Sequence, residues 1–157
     1  MSYDFYLISP TDPPDVKTYE CVKSFFLPFI KFDNGSEKNS VWLVWPQEAP
    51  EGWLQTHSPY DMSYLELDTT ITGWRSNDGC LLIDEPYGDI IWDLVFRAAQ
   101  ATGWLMADSL GHFFAINAEQ VHKWRELRQA RTSNVTVVGS AAALQTYQGA
   151  PPVRAVR

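Results

Sequence analysis

Ten carboxylates fall between residues 48 and 93, at Glu48, Glu51, Asp61, Glu66, Asp68, Asp78, Asp84, Glu85, Asp89 and Asp93, with Arg75 the one cation among them. Paired carboxylates can work as general acid and base. At this density, however, some pairs arise by number alone, so pairing is not itself a sign of catalysis. Glu66 and Asp68, two apart on an extended chain, would point the same way about 7 Å from one another. Large aromatics are interleaved with these acids: Trp53, Tyr60, Tyr64, Trp74, Tyr87 and Trp92. Rings that supply burial inside a rim of charge that steers association are the composition of a protein interface. Trp53, Trp74 and Trp92 also suit a core, which leaves Tyr60, Tyr64 and Tyr87 as the better surface anchors.

Other chemistries find less support. His57, His112 and His122 are the only histidines, with no HExxH or HxH spacing, and Cys21 and Cys80 form no CxxC pair, so no metal site is expected. The two cysteines sit among apolar neighbours and read as buried thiols in a reducing compartment. No GxSxG elbow and no GxGxxG or GxxxxGK[ST] loop occurs, which removes the usual signs of a serine nucleophile or a phosphate cradle. Neither a cofactor nor an enzymatic activity is expected.

The net charge of −7 hides an asymmetry: residues 1–111 hold 17 acids against six bases, and residues 112–157 two acids against six bases. Direct nucleic-acid binding needs cations that displace the counterions of phosphate, so it is disfavoured, and a basic protein partner is favoured. No apolar run approaches the roughly 20 residues of a membrane span. The start MSYDFYLISPTD lacks a basic, greasy leader, so a cytoplasmic protein with no membrane attachment is expected.

The elements that must position these side chains can be read from periodicity. YDFYLIS alternates as a strand, DVKTYECVKSFFL reads as a helix capped by Asp15 with Val16, Tyr19, Val22 or Lys23, and Phe26 on one face, although its β-rich composition also permits a strand, and FIKF and VWLVWP form a hairpin. Residues 46–62 form a Pro-rich loop. SYLELD then makes a strand with one acidic face, beside a neighbouring strand CLLID. The stretch from Tyr87 to Thr102 has helical apolar spacing with Gly103 just past its end, WLMADS and HFFAIN flank a Leu110-Gly111 turn, and Asn117 with Gln120 starts a helix over 118–130 whose buried stripe includes Val121 and Trp124. The expected fold is α+β, a mixed, mostly antiparallel sheet of about five or six strands with two or three packed helices. Residues 1–131 form one globular domain. Residues 132–157, rich in small residues and basic, form a partly mobile C-terminal segment in which VTVVG can add a strand.

The start SYDFYLISP, and an amphipathic helix followed by ATGWLMADSLGHFF and a closing helix, resemble small cytoplasmic bacterial immunity proteins of polymorphic toxin systems. That resemblance spans about half the chain and carries over no functional residue. It implies an inhibitor that occludes a cognate toxin, such as a nuclease with a cationic active site. On the charge pattern, Glu66, Asp68, Asp84, Glu85 and Asp89 are the acidic candidates for partner binding, with Tyr64 and Tyr87 as anchors. The alternatives are a phage-type inhibitor that mimics nucleic acid to block a host defence complex, and a small carboxylate-dependent enzyme, which a pocket lined by Asp61, Glu66 or Asp68 would favour. A structural subunit whose basic tail docks on a neighbouring copy is a further one.

Overall fold

In the computed structural model, the described residues are 3–11, 15–33, 41–44, 63–68, 80–86, 88–128 and 135–153; for 30–33, 41–44, 63–68 and 127–128 the description is of the backbone alone. The fold is α+β, as the periodicities imply. One mixed sheet holds β1 (Asp4–Ile8), β2 (Ile30–Asp33), β3 (Val41–Val44), β4 (Ser63–Asp68), β5 (Cys80–Asp84), β6 (Leu105–Asp108), β7 (Phe113–Ala115) and β8 (Val135–Val137). Their order is β2-β3-β4-β5-β1-β6-β7-β8, and every pairing is antiparallel except β7 with β8. Five of these strands, β5-β1-β6-β7-β8, have described side chains and make up the mixed, mostly antiparallel sheet that the sequence implies, and β2, β3 and β4 extend it by backbone pairing. Four α-helices accompany it: α1 (Val16–Phe26), α2 (Ile90–Thr102), α3 (Ala118–Arg128) and α4 (Ala141–Gln145).

Alternation along the strands gives the sheet two apolar faces. Phe5 and Leu7 of β1, Leu81 and Ile83 of β5, Met106 of β6 and Phe114 of β7 share a core with α1, α2 and α4. On the other face Ile8, Cys80, Leu105, Ala107 and Ala115 gather around Trp124 of α3. The Trp124 indole N–H donates to the Phe114 carbonyl at 2.8 Å, so the one polar atom of that ring is satisfied in the core. Trp92, which the sequence suits to a core, is buried and meets Phe5 edge to face.

Helix ends follow the capping logic. Asp15 accepts from the Thr18 backbone N–H at the start of α1, and α2 closes on Gly103 at φ 75°, a left-handed position that glycine adopts without strain. Asn117 accepts from the Gln120 N–H, as expected, but the Gln120 side chain does not return to the Asn117 N–H. It accepts from Ile116 N–H and donates to the carbonyls of Ala99 and Trp104, tying the start of α3 to the end of α2. Val16, expected on the buried face of α1, is exposed, because the helix packs through Val22 and Phe26 and its first turn projects past the core.

The C-terminal segment contributes to this core. Val138 N–H bonds the Ala115 carbonyl, continuing the β7–β8 pairing, and Val138 and Leu144 are buried with the residues under α2. Among the described residues, no helix is long and apolar enough to cross a membrane.

Candidate functional site

One end of the sheet collects carboxylates. Antiparallel register sets Asp4 of β1 opposite Asp84 of β5, and Tyr64 of β4 opposite Asp84 on its other side. The three positions form one row across three strands. Glu85 follows at φ 48°, a left-handed backbone unusual for a side-chain-bearing residue. Its N–H bonds the Tyr3 carbonyl at 3.1 Å, which turns the chain back over the start of β1. Asp84 and Glu85 are exposed, whereas Asp4 is half-buried, with Oδ1 enclosed and without a hydrogen-bond partner. Among the described residues no Lys or Arg pairs with Asp4, Asp84, Glu85 or Asp89. The Lys and Arg ion pairs there lie elsewhere, at Arg97–Asp93 and Lys123–Glu126.

The electrostatic result is visible in Asp4. Burial, followed by its hydrogen bond to Asp84 and the charges of Asp84 and Glu85, pushes its carboxyl up to about 6 from 3.8. Tyr6, two residues along the same face, is pushed up to about 12, first by burial and then by Asp4, with smaller contributions from Cys80 and other acids. At Glu126 the shift has the opposite sign: the Lys123 ammonium beside it lowers its carboxyl.

Of the residues singled out from the sequence, Asp84 and Glu85 stand in this cluster, and Tyr64 occupies its row. Asp89 is exposed at the start of α2. Its carboxylate makes no capping bond and instead accepts from Gln145 Nε2 at 3.0 Å. Glu66 lies opposite Leu82, one row in, and Asp68 lies opposite Cys80, in the row that also holds the buried Ile8. The spacing of four residues places Asp68 about 13 Å along the strand from Tyr64. The side chains of Tyr64, Glu66 and Asp68, and the whole of Tyr87, lie outside the described residues, as do Trp53, Tyr60, Asp61 and Trp74.

The composition did not single out the second feature at this end, Asp108 with His112. The Asp108 side chain is fully buried, yet all its acceptor positions are used. Oδ1 takes the backbone N–H groups of Leu110 (3.0 Å) and His112 (2.9 Å), closing the β6–β7 turn. Oδ2 takes the Tyr3 hydroxyl (3.0 Å) and His112 Nδ1 (2.6 Å). With three other donors converging on the carboxylate, Nδ1 is placed to donate to it, and Nε2 is the ring nitrogen that Asp108 does not engage. Burial and the Asp108 charge together push the Tyr3 hydroxyl far above its ordinary range. Tyr147 and Phe114 frame the imidazole at ring distances of 5.2 and 5.9 Å. An acid placed just before the turn and a histidine four residues on, DSLGH, was the available sequence signal. Among the described residues, no group of three or more metal-ligating side chains occurs.

No protein-family model, curated protein or solved structure matches the chain. The functional reading therefore draws on the site alone.

Proposed function

We propose that this protein is a binding protein that captures a basic protein partner at the carboxylate end of its sheet. The partner class is that of a cognate toxin, such as a nuclease, which the protein neutralises by occluding a cationic active site. The observation that carries the reading is the row Asp4–Asp84 with Glu85: three acids, one half-buried, with no cation beside them among the described residues. An arrangement of this kind raises its own energy in the free protein and is relieved when an ammonium or guanidinium arrives. By backbone register Tyr64 occupies the same row, with Glu66 one row in along β4.

A carboxylate-dependent enzyme is the second reading. A half-buried acid pushed up to about 6 beside a second carboxylate is also what acid–base catalysis uses. The two part in their dependence on a partner. Immobilised protein exposed to lysate of its source organism at low salt should retain a basic protein, and the charge-reversed Asp84→Lys/Glu85→Lys form should lose it. Retention of the same proteins by both forms would remove the carboxylate end from the account.

A further inference from the structure

After Leu144, the last buried of the described residues, the chain runs to Val153 across the carboxylate end of the sheet without burying another side chain completely. Its fastenings are few. Gln145 Nε2 donates to Asp89 Oδ1 (3.0 Å), Gln148 Nε2 to the Pro86 carbonyl (2.9 Å), and Val153 N–H to the Leu110 carbonyl (2.8 Å). Between them the half-buried Tyr147 ring stands edge-on to His112 and to Phe114, at 5.2 and 4.9 Å. The anchoring is abrupt. Val138 and Leu144 belong to the main core; beyond them Tyr147 packs half-buried against that core, the 3-10 turn Thr146–Gly149 is tied back by the Thr146 hydroxyl to the Ala143 carbonyl (2.6 Å), and the other ties to the rest of the fold are hydrogen bonds that water can replace.

His112 is held by a fully buried carboxylate through Nδ1, its side chain is 11% exposed, and its Nε2 has no hydrogen-bond partner among the described residues. Asp108 Oδ1 alone would close the turn. Oδ2 is committed to orienting the imidazole and the Tyr3 hydroxyl, an arrangement that fixes a ring's tautomer wherever its second nitrogen is to be used. Tyr3, Asp108 and Tyr147 are the titratable groups facing that ring among the described residues.

We infer that residues 145–153 are a releasable strap hinged after Leu144, and that lifting it uncovers His112 Nε2 and frees Asp89 and the Pro86 carbonyl for a cationic partner. The statement about the partner rests on the function proposed above, whereas the uncovering of His112 does not. Segments fastened by few buried contacts open locally at a small fraction of the energy of global unfolding, so the strap can lift while the core stays folded.

The test uses the full chain and diethyl pyrocarbonate, which acylates accessible basic imidazole nitrogen, with modified peptides quantified by mass spectrometry. His122, exposed on α3, is the reference in the same molecule. In the unaltered protein, His112 should react at least about tenfold more slowly than His122. Tyr147→Ala should bring the two rates to within about threefold while near-ultraviolet circular dichroism of the core tryptophans is unchanged. Gln145→Ala/Gln148→Ala, which leaves every ring in place, should move the rate in the same direction and serves where Tyr147→Ala does not fold. Equal rates for His112 and His122 in the unaltered protein, or an unmoved His112 in the folded variants, would overturn the strap. Binding of a hexa-arginine peptide, read by calorimetry, should tighten in the double glutamine variant. Failure of the peptide to bind any form, with the His112 rates as expected, would count against the proposed partner and leave the strap standing.

Discussion

Two carboxylates on neighbouring strands, Asp4 and Asp108, sit at the same end of one sheet and have opposite surroundings. Asp108 is fully buried and receives four donors, from Tyr3, Leu110 and twice from His112. Asp4 is half-buried, has one enclosed oxygen with no partner, and faces Asp84 and Glu85. The backbone ties the two together, since Ser109 N–H bonds the Asp4 carbonyl and Ser109 Oγ accepts the Asp4 N–H. The contrast shows that burial alone does not set the state of a carboxyl group. The number of donors aimed at it does.

The largest expected effect tests the satisfied side of this contrast. Asp108→Ala strands the Tyr3 hydroxyl and two backbone N–H groups in the interior and unlatches His112, which should cost about 3 kcal/mol or more in urea unfolding. A loss no larger than that of an ordinary surface substitution would mean the four donors contribute little.

The next prediction has the opposite sign. Glu85 holds a left-handed φ of 48°, so Glu85→Gly should stabilise the fold by about 1 kcal/mol, while removing a carboxylate from the proposed interface. A more stable protein with weaker partner association would place the strain at the site of function, as strained residues often are. A destabilised variant would show that the Glu85 side chain supports the turn.

Asp4→Asn carries the smallest effect and the most specific one. Because the folded carboxyl is raised from 3.8 to about 6, the contribution of Asp4 is favourable below about pH 4 and is lost as pH rises through about 6. The natural protein should therefore gain stability on acidification from pH 7 to 4 relative to Asp4→Asn. At pH 7 the variant should be the more stable by less than about 1 kcal/mol, a figure already discounted for solvent screening of a half-exposed group. Parallel stability–pH curves for the two proteins would contradict the raised carboxyl.

Local physics explains what the sequence revealed of this molecule. Asp15, Gly103 and the Asn117 start are capping signals carried by one to four residues, and β1 and α2 announce themselves by period, so the α+β class and most element positions were legible. The neighbouring strands β4 and β5 were legible too, whereas the register that sets Tyr64 opposite Asp84 was not. Asp4 was not, because it lies outside the acid-rich window and meets Asp84 only through an antiparallel register spanning 80 residues. The VTVVG strand was legible, but its parallel partner β7 and the burial of Val138 and Leu144 were hidden for a related reason. Small residues carry weak periodicity, and what fixes them is a parallel pairing with β7 and the burial of Val138 and Leu144.

The most direct measurement is a carboxyl-carbon NMR titration of Asp4, alone and with a saturating hexa-arginine peptide. The free protein should titrate at about 6, and the peptide should draw the midpoint down toward the ordinary carboxylate range, as a cation relieves the repulsion of Asp84 and Glu85. A midpoint near 4 in the free protein, or one near 6 that the peptide leaves unmoved, would contradict a carboxylate end built to receive a cation.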